Sequence, residues 1–366
     1  MNHHTLQGSI LTPNGLVDGQ LSFGTHIGAI DTAPRSATRR YLLPGFIDLH
    51  VHGGGGVDIM EGGASAVAVA RMHARHGTTS MLGTTMTASE ADISGALRGL
   101  APAIAVRQPG SARLLGVHLE GPFISINRLG AQPEAQVRQA TLELVRRYHA
   151  LAPIRVLTLA PEVDDHLALI PQLCAMGIRV QIGHSNGSYE QGLAALRAGA
   201  SGFTHLFNGM TGLNQYAPGM VGAALAHAEF SELIPDLQHV HPGAIRAAMR
   251  AIPRLYCVTD ATSATGMPDG EYALGTQRVV KCQGCVRLRS GSLAGSALTM
   301  DQALRNLLQI GCDLADASRR LSLHPADYLG VQDRGRLQTG AWADVVVLDA
   351  DFQVQQVYVE GEPILR

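Results

Sequence analysis

Short apolar runs alternate along the middle of the chain with longer segments of helical periodicity. The runs predict eight strands, at residues 46–52, 79–83, 114–120, 155–160, 179–184, 202–206, 232–236 and 255–260. The intervening segments predict helices at 64–76, 90–106, 134–150, 164–176, 189–198 and 242–251, with the weakest helical pattern between the sixth and seventh strands. Because strands that alternate with helices pair in parallel, this order predicts an α/β fold, a (β/α)₈ TIM-type barrel.

The two chain ends follow a different pattern, in which short strand-like runs are separated by glycine and Asn-Gly turns. Such runs lie at 8–11 and 19–23, and again at 343–348 and 354–361. Neither end is long enough to enclose a core alone. We therefore predict that residues 1–43 and 333–366 pair into one small β-sandwich domain beside a catalytic barrel of residues 44–332.

Composition excludes several classes of protein. With 46% hydrophobic and 16% charged residues, the 366-residue chain can bury a sizeable core, which argues against disorder. A formal net charge of −2 offers no basic field for a nucleic acid partner. The apolar runs are too short to span a membrane, and the first residues lack the pattern of a secretory signal. These features predict a cytoplasmic protein, as does the odd, sparse set of five cysteines.

Cys282 and Cys285 form a lone C-x-x-C motif. A zinc ribbon needs a second pair, so the motif is better explained by a hairpin with Gln283-Gly284 as its turn and the cysteines opposite each other. A redox role is the alternative.

Side chains that can bind metals occur at the ends of five of the eight predicted strands, where barrel enzymes carry their chemistry. These residues are His50 and His52, Glu120, His184, His205 and Asp260. His50 and His52 are two positions apart, so on a strand they point to the same side and form a chelating pair for a divalent ion. A helix N-cap is the structural alternative for Asp260.

The segments around these residues share motifs with a known family. They are 44–53 (PGFIDLHVHG), 116–123 (GVHLEGPF), 183–186 (GHSN), 204–210 (THLFNGM) and 258–262 (VTDAT). Together they resemble the N-acetylglucosamine-6-phosphate deacetylase family of the amidohydrolase superfamily. The resemblance continues through 293–300 and ends at 340–344, so it covers nearly the whole chain.

The resemblance implies a metal-dependent deacetylase and, from the family, a homodimer. Glu120, His184 and His205 would hold one divalent ion, and His50 and His52 could hold a second, with Glu120 as the bridge. Zinc is expected, with iron, manganese and cobalt as alternatives. Asp260 would act as general base and then as general acid. The only lysine, Lys281, follows the eighth strand, which tells against relatives whose metals are bridged by a lysine on the fourth strand.

The resemblance also implies a set of sugar contacts. They are Ala131, Asn208, Gly209, Tyr216, His239, Leu293, Ala294 and Gly295. Packing is the alternative for Ala131 and Leu293, and helix capping for His239. Two residues depart from the family pattern: Tyr216 occupies the position of the arginine that binds the 6-phosphate, and Leu237 replaces a glycine.

The leading hypothesis is hydrolysis of the N-acetyl amide of N-acetylglucosamine 6-phosphate, an amino-sugar substrate. Because Tyr216 lacks the cationic fork of arginine, a deacetylase of an unphosphorylated or different N-acyl amino sugar is the main alternative. A catalytically inactive barrel retained as a scaffold is a third hypothesis. A nucleobase deaminase is a fourth, weakened by the Leu-Glu-Gly-Pro sequence at 119–122.

Overall fold

The fold is seen in a computed structural model that describes residues 3–34 and 39–365. Its strands are β1 (His4–Thr12), β2 (Gly15–Phe23), β3 (Ile27–Thr32), β4 (Tyr41–Pro44), β5 (Phe46–Asp48), β6 (Gly53–Gly54), β7 (Val57–Asp58), β8 (Thr78–Thr85), β9 (Arg113–Glu120), β10 (Ile154–Leu159), β11 (Arg179–Ile182), β12 (Gly202–Phe203), β13 (Glu232–Leu233), β14 (Tyr256–Cys257), β15 (Gly270–Leu274), β16 (Gln277–Cys282), β17 (Cys285–Leu288), β18 (Val345–Leu348), β19 (Val354–Val359) and β20 (Glu362–Pro363). Its α-helices are α1 (Ser65–Ala74), α2 (Glu90–Ala105), α3 (Leu142–Leu151), α4 (His166–Ala175), α5 (Tyr189–Arg197), α6 (Gly219–His227), α7 (Pro242–Ala251), α8 (Met300–Gln309), α9 (Leu314–Leu321) and α10 (Leu323–Leu329), with 3-10 helices at Ile59–Glu61, Ile126–Arg128 and Glu134–Gln136. Among these described residues, no helix combines the length and apolarity needed to cross a bilayer.

Eight parallel strands close around a common core, which confirms the predicted barrel. Six of them form a continuous sheet in the order β5, β8, β9, β10, β11 and β12, while β13 and β14 pair with each other. Backbone bonds complete the circle: Leu206 N donates to Glu232 O at 2.9 Å, and Asp260 N donates to His50 O at 2.9 Å. Since parallel strands all point the same way, the residues at their carboxyl ends meet at one mouth of the barrel.

The predicted helices agree with the structure except at two places, and α8, α9 and α10 lie in a part of the chain where no helix is predicted from the sequence. The helix expected over 134–150 begins only at Leu142, because the Thr141 side chain accepts the Leu144 amide and so caps the helix there. Only a short 3-10 turn, Glu134–Gln136, precedes it. The weakly patterned stretch between the sixth and seventh strands contains α6, which is rich in glycine and alanine and therefore has little polar contrast.

Both chain ends contribute to one seven-stranded sheet, in the order β20, β19, β18, β4, β1, β2 and β3. Its own apolar cluster includes Ile10, Leu21 and Phe23. A buried ion pair lies in this part of the chain, where Arg334 Nη1 donates to Asp344 Oδ2 at 2.6 Å. The division of the chain at residues 43 and 333 into two domains stays a prediction.

A three-stranded antiparallel sheet, β15 to β17, follows the eighth barrel strand, and we call it the flap. Its apolar face packs with Met86 and Ala294. Cys282 pairs directly with Cys285 in this sheet, and the two turn residues have φ of 49° and 80°, which is typical of a type I′ hairpin. The predicted hairpin is confirmed, and both cysteines are free thiols.

Candidate active site

The polar residues predicted at the strand ends converge at the mouth of the barrel. All are buried, with at most 7% of each residue exposed: His50, His52, Glu120, His184, His205 and Asp260. Three of them leave their strands with positive φ, at 46° for His184, 29° for His205 and 51° for Asp260. Such conformations are costly for residues other than glycine and concentrate at functional sites, where the chain must turn a side chain in a required direction.

The Glu120 carboxylate lies at the centre of this group. Its Oε1 is 3.2 Å from His184 Nε2 and 3.1 Å from His205 Nε2, and its Oε2 is 3.3 Å from His52 Nε2. On the far side, Asp260 Oδ1 is 3.3 Å from His52 Nε2 and 3.5 Å from His50 Nε2. Glu120 Oε1 is also 3.4 Å from His50 Nε2, so the carboxylate contacts histidines of both groups, a position that fits a bridging ligand.

The donor atoms fit divalent metal ions. His184 Nδ1 lies 2.8 Å from the Arg128 carbonyl, which can only accept, so this nitrogen carries the proton and Nε2 turns its lone pair inward. Two triads each bring their ligand atoms within 4.8 Å of one another, Glu120–His184–His205 and His50–His52–Asp260. Imidazole nitrogens and carboxylate oxygens are ligands for zinc and for other first-row divalent metals.

Two residues that support this site were not identified from the sequence. Gln132 Nε2 donates to Glu120 Oε2 at 2.8 Å, while its Oε1 accepts the Thr87 amide at 2.8 Å. Glu232 Oε1 is 2.7 Å from His50 Nδ1. In the sequence, the one signal for Glu232 is that an acidic residue lies in the predicted strand at 232–236. Gln132 directly follows the predicted sugar contact Ala131, and no motif of its own marks it.

The electrostatics of the site keep its carboxylates ionised. Burial alone would raise the pKa of Glu120 and of Asp260, but the charge of His50 and hydrogen bonds from neighbouring histidines hold both pKa values below their ordinary ranges. His118 behaves differently, since burial lowers its pKa to about 4. Both its ring nitrogens bond to groups of the barrel wall, the Leu49 carbonyl and the Thr158 hydroxyl, so it packs behind the site as a neutral core residue.

A cleft of about 620 Å³ opens above these residues. Seven of the eight predicted sugar contacts line it: Ala131, Asn208, Gly209, His239, Leu293, Ala294 and Gly295. His239 Nδ1 is 2.7 Å from Asp236 Oδ2, and His241, not His239, caps the following helix. No helix begins after Asp260, so an N-cap role for this residue is also not observed.

Tyr216 is the eighth predicted contact, and it does not line the cleft. Its side chain is 89% exposed, on the loop that follows Asn208 and Gly209. Leu237, the other departure from the family pattern, has a φ of 63°, in the region that favours the glycine it replaces. Among the residues that line the cleft there is no lysine or arginine.

Comparisons with known proteins agree on one group of enzymes. The amidohydrolase family matches residues 41–364. The chain is 41% identical to N-acetylgalactosamine-6-phosphate deacetylase from Escherichia coli O157:H7, over 99% of both chains. It is 39% identical to N-acetylglucosamine-6-phosphate deacetylase from Vibrio furnissii, over 94% of this chain and 86% of the relative. It also resembles the structure of an aspartate-to-alanine mutant of N-acetyl-D-glucosamine-6-phosphate deacetylase from Mycobacterium smegmatis in complex with N-acetyl-D-glucosamine-6-phosphate, with a TM-score of 0.93, 32% identity and full coverage of both chains.

Proposed function

The chain belongs to the amidohydrolase family, and from that premise we propose that it hydrolyses the N-acetyl amide of N-acetylglucosamine 6-phosphate to glucosamine 6-phosphate and acetate. The observation that carries the proposal is the pair of adjacent triads, Glu120–His184–His205 and His50–His52–Asp260, beneath a cleft lined by the expected sugar contacts. The complete set of ligands together with Asp260 argues against an inactive scaffold.

The residues that would hold metal are the four histidines and Glu120, with Asp260 beside them. Glu120, His184 and His205 would bind one divalent ion, and His50 and His52 would bind a second, with Glu120 shared between them. When bound, such an ion polarises an amide carbonyl and lowers the pKa of water to about 7. Zinc suits these ligands best, and iron, manganese and cobalt are the alternatives.

Asp260 would move the proton. Its carboxylate lies in the cleft beside His52 and is ionised at neutral pH, so it can accept a proton from the attacking water. An amine is a poor leaving group unless it is protonated. The same carboxyl group would therefore return the proton to the sugar nitrogen as the C–N bond breaks, and acetate and the free amine would leave.

The other residues that line the cleft would bind and orient the sugar. Because His239 Nδ1 is engaged by Asp236, its Nε2 is the ring nitrogen that can contact the substrate. Asn208 and Gly209 offer an amide side chain and backbone groups close to His205. The flap supplies Leu274, and the segment after it supplies Leu293, Ala294 and Gly295, whose surface can pack on one face of the ring.

Two observations favour other N-acyl amino sugars as candidates. The Escherichia coli relative is named for N-acetylgalactosamine 6-phosphate, which differs from the glucosamine compound only in the configuration at C4. Tyr216 provides one neutral hydroxyl where arginine would provide a charged, bidentate donor, which favours an unphosphorylated sugar.

We expect kcat/KM for N-acetylglucosamine 6-phosphate to exceed that for N-acetylglucosamine by about 10–100-fold, the effect of one or two hydrogen bonds to a charged group. Steady-state assays of both sugars and of N-acetylgalactosamine 6-phosphate would measure this. Tyr216→Arg is the matched variant: its side chain lies outside the cleft of its own chain, so kcat/KM should rise for the phosphorylated sugars only if the proposed homodimer brings position 216 to the partner's cleft. A wild-type preference for the unphosphorylated sugar would instead support the alternative substrate.

The compartment and the assembly are proposals as well. A reducing cytoplasm is supported by the five free cysteines. A homodimer is the assembly expected from the family resemblance, and the loop with the exposed side chains of Leu213 and Tyr216 is a candidate contact surface.

A further inference from the structure

Glu232 is a buried acid that the proposed chemistry does not use. It lies on β13 with no exposed surface, in the wall of a barrel where apolar side chains are the rule. Among the described residues its Oε2 makes no hydrogen bond of ordinary geometry, and the buried Tyr256 hydroxyl is its polar neighbour beyond the histidines. A buried carboxylate with an unsatisfied oxygen destabilises a fold, so its contacts should explain why an acid is present.

Those contacts join the two halves of the site. Oε1 is 2.7 Å from His50 Nδ1, and the same oxygen accepts the backbone amide of His205 at 3.0 Å. The Glu232 backbone carbonyl accepts the next amide, that of Leu206, at 2.9 Å. One residue thus holds a histidine of the first strand and the sharp turn of His205 at the end of the sixth.

The bond to His50 fixes the tautomer of that ring. A carboxylate only accepts, so Nδ1 keeps its proton, and Nε2, which lies 3.4 and 3.5 Å from Glu120 and Asp260, is the nitrogen that would give up its proton to bind a metal ion. His52 lacks such support, since its Nδ1 has no hydrogen-bond partner in the described part of the chain. Of the two rings in the His50–His52 pair, the His50 ring is therefore the one that is held in orientation by a carboxylate, that of Glu232.

We propose that Glu232 is a positioning residue that orients His50 Nε2 and thereby sets the affinity of the His50–His52 subsite for its metal ion. This inference rests on the proposed metal centre, and it assigns the larger effect of Glu232 to the His50–His52 subsite. The subsite of Glu120, His184 and His205 loses only the contact from Glu232 to the His205 backbone amide, and it keeps its support from Arg128 and Gln132.

The test measures metal binding and folding separately. Wild-type chain, Glu232→Ala, Glu232→Gln and His52→Ala are stripped of metal, equilibrated with buffered Zn²⁺ and analysed for ions per chain. Asp344→Asn is the matched control, because it removes a buried carboxylate from the terminal sheet, far along the chain from every ligand. Melting temperatures of the metal-free chains report stability alone.

We expect two ions on the wild-type chain and one tight ion on His52→Ala. Glu232→Ala should bind its second ion about 10–100-fold more weakly, as is usual when the partner of a metal-binding histidine is lost. Glu232→Gln should lie between Glu232→Ala and the wild type, since its amide oxygen still accepts from Nδ1. Asp344→Asn should melt earlier with unchanged metal content.

Other results overturn the inference. If Glu232→Ala binds both ions with wild-type affinity and merely melts earlier, as Asp344→Asn does, Glu232 is structural only. A wild-type chain that binds one ion shows no second subsite for Glu232 to serve, which overturns the inference but leaves a one-metal deacetylase standing. A wild-type chain that binds no ion contradicts the proposed function itself.

Discussion

Replacing Asp260 with asparagine should lower kcat for N-acetylglucosamine 6-phosphate by about 10²–10⁴-fold, the usual contribution of a general acid–base group. The amide has nearly the same shape as the carboxylate, but it cannot accept a proton from water. It also cannot deliver one to the departing amine. The ion held by Glu120, His184 and His205 should remain, because Asp260 is not part of that triad. Steady-state kinetics and metal analysis of the purified variant measure both effects.

Asp344→Asn serves as the control for this carboxylate-to-amide change, since Asp344 pairs with Arg334 outside the cleft. It should retain its kcat while losing stability, because a buried arginine then lacks one of its partners. If Asp260→Asn keeps more than about a tenth of the wild-type kcat, the proton transfer must be assigned to another group.

Glu120→Ala should have the second large effect, abolishing measurable activity and weakening metal binding by more than about 100-fold, which exceeds the usual cost of losing an indirect partner. Among the described residues, Glu120 is the one carboxylate within 3.4 Å of all four site histidines: His50, His52, His184 and His205. Its loss removes the ligand that both metal subsites would share. Ions per chain and kcat are the readouts.

Gln132→Leu provides a graded comparison, because it removes the donor to Glu120 Oε2 and leaves the carboxylate in place. It should weaken metal binding by about 10–100-fold, less than Glu120→Ala does. Wild-type metal content in Glu120→Ala would contradict the bridging role of this residue.

Much of the barrel could be predicted because its signals are local. Apolar runs and helical periodicity predict the strands and most helices, and α7 begins and ends at the expected residues. The helix over 134–150 was predicted too long, because the pattern does not reveal that Thr141 caps the chain and stops the helix from extending backward. The flap is only partly predictable from local pattern, through its Cys282–Cys285 hairpin.

The positions of the metal-binding side chains could be predicted for a general reason. Parallel strands bring their carboxyl ends together, so His50, Glu120 and His205 had to meet whatever their distance in sequence. Their roles in binding and catalysis stay predictions until metal and kinetics are measured.

The supporting residues could not be predicted, because their roles depend on contacts between distant segments. Glu232 reaches His50 across 182 positions, and although a motif marks His50, no motif marks Glu232. The position of Tyr216 is a similar case. Its identity departs from the family pattern, but only the structure shows that the side chain points into solvent and not into the cleft.

Acetate release is the most direct test of the central claim that this chain is a metal-dependent deacetylase of an amino-sugar phosphate. The chain, loaded with Zn²⁺ or stripped by a chelator, is incubated with N-acetylglucosamine 6-phosphate, and acetate and free amine are quantified. We predict equal amounts of both products from the loaded chain, none from the stripped chain, and recovery when the metal is returned. A fully loaded, folded chain that releases acetate from neither this sugar nor its C4 epimer nor the unphosphorylated form would contradict the claim.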